Sequence, residues 1–167
     1  TIREKQRVVL SRPEDLDIIL LSQGLSGMHA VLFTVRDGKL SGRDSFFLGD
    51  VQGETPELIV GEFIKQYYHA NVLIPKEILL SSLPFEHELL AEWLSQQRGS
   101  KVRLLVPRRG EKRALLELVR ADTEEILKGL DERVKRQNER LEAIREGLAE
   151  IFGQKLADGI SRVEAYD

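Results

Sequence analysis

Four cationic side chains lie between positions 108 and 113: Arg108, Arg109, Lys112 and Arg113. With Lys101 and Arg103 they give residues 101–113 six basic groups against Glu111 alone, in a chain of net charge −3. At the start of a helix such a cluster suits phosphate, because the first backbone N–H groups add to the side-chain charge. It could equally meet an adjoining domain, and a solvated face is its plainest reading. Other groups able to do chemistry are sparse. His29, His69 and His87 fall on a strand, a helix end and a helix start, with no ligand spacing among them. The chain has no Cys, which excludes thiol catalysis, disulfides and cysteine-based zinc sites. There is no Gly-x-Ser-x-Gly elbow and no phosphate-loop pattern of glycines. Carboxylates remain: Asp17 at the head of an apolar run, Glu57 and Glu62 within a helix, and Asp167 at the final position. What they can do depends on which ends of which elements they occupy.

Those elements are organised around residues 17–48. Ile18-Ile19-Leu20-Leu21 is a continuous apolar run closed by Ser22-Gln23-Gly24, too short for a helix and suited to a buried strand. His29–Val35 is rich in β-branched and aromatic residues, and Asp37-Gly38 follows it. Two residues that tolerate positive φ predict a tight hairpin into Lys39–Leu48. Three antiparallel strands result. Thr55-Pro56-Glu57 reads as cap, first-turn proline and acidic first turn, opening a helix that ends near Ala70-Asn71. Glu77–Ser82 is a short buried strand, and a second helix runs from about Glu86 to Gln97. Val102–Val106 is a further strand stopped by Pro107. From Glu111 to Gly153 the apolar residues step by threes, fours and sevens, a long helix in which Gly129 and Asn138 are the weak points. Tyr67-Tyr68 and Phe46-Phe47 read as core and rim rather than as base-stacking platforms.

The bulk numbers fit this picture. At 167 residues the chain suits one domain with appendages. A chain of that size buries roughly 70% of its unfolded surface without needing a metal or a disulfide. No apolar run approaches the roughly 20 residues that cross a bilayer, and Thr1–Arg7 is too polar for a secretory leader. A cytoplasmic location is expected. Ile2–Leu10 begins without a cap and predicts the end of a helix started upstream. Ile160–Tyr166 alternates like the first strand of a further domain. Both ends suggest a piece of something longer. The expected division is 1–12, the upstream helix; 13–110, the mixed domain; 111–153, the long helix or helix pair; and 160–167, the opening strand.

The order β-β-β-α-β-α-β-α predicts an α/β mixed sheet with flanking helices and a long C-terminal helical segment, and it resembles the ribonuclease H-like fold. Active members of that fold gather carboxylates around two divalent cations. The acids come typically from the end of strand one, an early turn of the first helix and the end of strand four. Two hard cations need several anionic oxygens on rigid elements. Here the corresponding strands end in Leu21-Ser22-Gln23-Gly24 and Leu80-Ser81-Ser82-Leu83, Asp17 lies at the opposite end of its strand, and only Glu57 or Glu62 could contribute. No cutting is expected. An active metal-dependent nuclease with differently placed acids is one competing reading. A helical interaction module using the 111–151 stripe as a coiled-coil surface is another.

Several stretches, in order, are similar to the C subunit of the bacterial UvrABC nucleotide-excision-repair excinuclease. They include Arg3–Val9, Asp15–Ile19, Asp37–Leu48, Pro75–Leu80, Val106–Arg113 and Arg162–Asp167. The resemblance is poorest over Asp131–Ile160. It implies a central segment of that subunit: the tail of the helical hairpin that contacts UvrB, then a non-catalytic ribonuclease H-like region, then the start of the 5′-incision endonuclease. Asp167 matches that nuclease's first catalytic aspartate, which the family follows with Ile-Ser-His. Without the later acids and histidine it should be inert in this segment. The resemblance further implies Mg2+ or Mn2+ for the complete nuclease and none for this segment. UvrB and damaged DNA would be partners through the full subunit, and UvrA an indirect one. Arg108, Arg109, Lys112 and Arg113 become candidates for contact with DNA phosphate or with the neighbouring nuclease domain.

Overall fold

The computed structural model describes residues 7–70 and 72–153. Its elements are β1 (Arg7–Val8), β2 (Leu16–Gly24), β3 (Gly27–Arg36), β4 (Lys39–Gly49), α1 (Pro56–His69), β5 (Glu77–Leu80), α2 (His87–Arg98), β6 (Arg103–Leu105) and α3 (Gly110–Phe152). One sheet holds the strands in the order β1-β4-β3-β2-β5-β6. The long β2, β3 and β4 form the antiparallel meander expected from the sequence, with Ile18 opposite Phe33 and Phe33 opposite Arg43. β5 lies parallel to β2, Ile18 opposite Leu79, and β6 lies parallel to β5. The expected mixed sheet is therefore present.

The β3–β4 turn shows why Asp37-Gly38 was legible. Both residues have positive φ, 53° and 73°, which matches the twist of a two-residue hairpin. A Cβ on Gly38 would come within 2.6 Å of the Arg12 carbonyl, so this position also needs the missing side chain.

Alternation along β2 divides the core. Ile19, Ala30, Leu32, Ile78 and Leu80 face α1 and α2, where Val60, Phe63, Ile64, Tyr68, Leu90 and Leu94 cover them. Ile18, Leu20, Val31, Phe33 and Leu79 face the other way and are covered by Leu115, Leu116 and Val119 of α3. β2 is thus buried on both faces, which is why its apolar run is continuous instead of alternating. Thr55 caps α1, its hydroxyl accepting from the Leu58 N–H, and Gly99 closes α2 in the left-handed region.

One expectation changes, and one alternative left open is decided. The described part of Ile2–Leu10 is not helical: Arg7–Val8 pair with Leu40 and Lys39 of β4. The Val9 and Leu10 N–H groups then donate to the Gly38 carbonyl, and Leu10 is buried in the α3-side core. Consecutive valines favour extended backbone, and the outer edge of β4 offers partners that a helix would forgo. The long helix is a single element from Gly110 to Phe152, interrupted at neither Gly129 nor Asn138. Two compact units divide the chain between Leu127 and Lys128, so the first turns of α3 belong with the sheet. The buried residues of α3 run from Leu115 to Leu127. The expected strand at 160–167 lies outside the described residues.

Candidate functional site

In open α/β sheets ligands approach the carboxyl ends of parallel strands, because loops and helix starts converge there. A pocket of about 340 Å³ occupies that place at the ends of β2 and β5. Ile19, Leu21, Met28 and Val60 form apolar lining, and Ser22, Gln23, Ser81, Ser82, Glu57 and Arg120 supply the polar groups. Glu57 sits in the first turn of α1, where a negative charge complements the helix dipole. Arg120 reaches the pocket from α3 and keeps a 3.6 Å contact from its Nε to Glu117.

A ribonuclease H-like site would hold a pair of Mg2+ or Mn2+ ions here. The donors do not fit it. Among the described residues lining the pocket there is one carboxylate, Glu57, with hydroxyl and amide oxygens where anionic ones would stand. Neutral oxygens leave most of the charge of two divalent ions uncompensated, and the guanidinium of Arg120 adds to it. Glu62 lies outside this pocket and pairs with Lys65 at 2.8 Å. The histidines stay apart: His29 is buried in β3 with Nδ1 3.2 Å from the Gly27 carbonyl, and His69 and His87 lie on different helices.

Asp17 is at the opposite end of β2 and is 1% exposed. Tyr68 donates to its Oδ2 at 2.6 Å and the Arg36 guanidinium to its Oδ1 at 2.9 Å. Burial pushes its pKa upward, and the Tyr68 hydrogen bond and the Arg36 charge only partly offset this. The Tyr68 hydroxyl is pushed well above its ordinary value by burial and by the Asp17 charge.

The basic stretch separates into two kinds of residue. Arg108 and Arg109 are exposed on the segment leading into α3, with no ion pair to either among the described residues. Lys112 is engaged, its Nζ 2.8 Å from both Glu77 Oε2 and Glu14 Oε2. Arg113 pairs with Glu117 at 2.8 Å along the helix, and Arg103 joins Lys112 on the Glu77 carboxylate. Glu77 is 5% exposed. Burial alone would raise its pKa, but the hydrogen bonds from Lys112 and Arg103 outweigh that and hold it below its ordinary value. Lys112 loses solvation too, yet its two carboxylates hold its pKa up. Nearby, the Ser11 N–H and hydroxyl both donate to Glu111 at 3.0 Å. This cluster sits where β2 and β5 begin, at the other end of the strands from the pocket.

Sequence reasoning did not single out Glu77 as the anchor of the basic stretch. The available signal was an acid opening an otherwise apolar strand, in a chain with a concentrated basic run. Asp167 lies outside the described residues.

Residues 15–129, well over half of the chain, match the family model described as the UvrC Ribonuclease H-like domain. The chain belongs to this family. Across 98% of its length it is 38% identical to the UvrABC system protein C of Thermoanaerobacter pseudethanolicus. Across 99% it is 36% identical to the proteins of that name from Alkaliphilus metalliredigens and Finegoldia magna. It spans about a quarter of the length of these relatives, 26%, 26% and 27% respectively. The pocket, the basic stretch up to Arg113 and Asp17 all fall inside the matched UvrC ribonuclease H-like region.

Proposed function

We propose that this chain is a non-catalytic scaffold within the nuclease subunit of the nucleotide-excision-repair complex that incises damaged DNA. The observation that carries it is the donor set at the carboxyl ends of β2 and β5, where Ser22, Gln23, Ser81 and Ser82 accompany a single carboxylate, Glu57. The same fold, without its anionic ligands, retains rigidity and a large surface on which neighbouring segments can be held. On this reading a UvrB-contacting hairpin lies ahead of Arg7, where the chain joins the sheet edge, 160–167 open the incision domain, and Asp167 is that domain's first acid. Mg2+ or Mn2+ then serves the complete nuclease. UvrB and damaged DNA are met through the full subunit, UvrA indirectly, in the cytoplasm. The test is a nicking assay on supercoiled plasmid with the chain alone in Mn2+. No turnover is expected, and nicking lost on Glu57→Gln would replace the scaffold with an active nuclease.

Within that role Arg108 and Arg109 are the residues that meet an anion, either DNA phosphate or an acidic surface of the adjoining domain. Their exposure supports this, whereas Lys112 and Arg113 already have carboxylates. Arg108→Glu with Arg109→Glu in the full subunit should weaken DNA binding and lower its salt dependence by about two phosphate contacts. Unchanged DNA affinity and salt slope would assign the pair to the domain contact instead.

A further inference from the structure

On the face of α1 and α2 turned away from the sheet, side chains that would ordinarily be polar are apolar. Leu58, in the first turn of α1, is 42% exposed, and Phe85, just before α2, is 70% exposed. Leu89, four residues after Phe85 in the first turn of α2, is 64% exposed. Leu58 and Phe85 line a groove of about 320 Å³ whose other apolar lining is Gly61, Pro84 and Leu90. Gly61 leaves room for the segment before α2 to pack on α1: a Cβ there would sit 3.3 Å from Pro84. The polar lining is acidic. Among the described residues, Glu57, Glu62 and Glu86 surround the groove with Lys65 as the one cation, which pairs with Glu62 at 2.8 Å and Glu86 at 3.7 Å. Three carboxylates against one ammonium leave a net negative rim around an apolar floor.

We infer that this groove docks a basic amphipathic peptide segment of a partner protein, which places one or two large apolar side chains against Leu58 and Phe85 and lysines or arginines against Glu57, Glu62 and Glu86. Apolar anchors in a shallow groove give affinity, and opposite charge at the rim gives orientation and rejects acidic segments. A nucleic acid is disfavoured by the sign of the rim. The groove is lined by α1 and the segment leading into α2, on the sheet face opposite the one α3 covers, so this surface is separate from the Arg108 and Arg109 segment assigned to anions.

The experiment is selection of a random twelve-residue peptide library on the full chain. Recovered peptides should combine large apolar residues with lysine or arginine. Individual binders should lose about tenfold or more in affinity on Leu58→Ser with Phe85→Ser. They should also weaken on Glu62→Lys with Glu86→Lys. These positions are exposed, so circular dichroism and melting of each variant should match the parent. Binders that are neutral or acidic, that ignore both variants, or a selection that enriches nothing, would overturn the assignment.

Discussion

Tyr68 Oη lies 2.6 Å from Asp17 Oδ2, joining the last turn of α1 to the head of β2 through a buried hydrogen bond. Both residues are 1% exposed, so no water can replace the phenol. Tyr68→Phe should destabilise the fold by about 1–3 kcal/mol, the cost of leaving a buried acceptor with one partner fewer. Urea unfolding followed by tryptophan fluorescence reads this directly. A change under about 0.5 kcal/mol would mean that Arg36 alone satisfies the carboxylate.

Lys112→Met keeps most of the side-chain stem and removes the charge shared by Glu77 and Glu14. Glu77 would then keep only Arg103 while still buried. A loss of about 2–3 kcal/mol is expected, below the full cost of stranding a buried charge because one cation remains. Adding Glu77→Gln should recover part of it, and a strictly additive pair would exclude the coupling.

Acid separates the two buried carboxylates. Glu77 has a folded pKa below its ordinary value of 4.5, so its stabilisation is complete above pH 4.5 and is lost as pH falls through the folded value. Asp17 is the reverse. Its folded pKa is raised above 3.8, so the folded state takes up its proton first, and this contribution grows as pH falls toward 3.8. Between pH 5 and 3, Glu77→Gln should flatten the acid loss and Asp17→Asn should steepen it, measured by urea midpoints across that range. Parallel slopes in both variants would show that other groups govern acid stability.

Gly38→Ala tests the hairpin. Its φ of 73° and the 2.6 Å approach of the Arg12 carbonyl act together, so the substitution should cost about 1–3 kcal/mol. Gly129→Ala, in α3 with open space beside it, should instead stabilise by a few tenths to about 1 kcal/mol. Thermal melts of the two variants should move in opposite directions.

Local signals carried far where one element decided its own conformation. Asp37-Gly38, the Thr55-Pro56 helix start and the apolar run of β2 each point to one structure for reasons internal to a few residues. The parallel strands β5 and β6 followed from element order. The face on which α3 packs did not, because a stripe of leucines and valines states that something is covered without stating what. Arg7–Val8 were misread because a strand this short is defined by the edge it joins, here β4, and not by its own pattern. At the candidate site, the neutral ends of β2 and β5 were legible as residue types. The engagement of Lys112 was not, since Glu77 and Glu14 are distant in sequence and meet it only after the sheet has formed.

The two latches at the start of α3, Ser11 to Glu111 and Glu14 to Lys112, tie the segment before β2 directly to the helix. The same segment is held to β4 through Arg7–Val8, so a pull on the chain ahead of Ser11 would load the sheet edge and the start of α3 together.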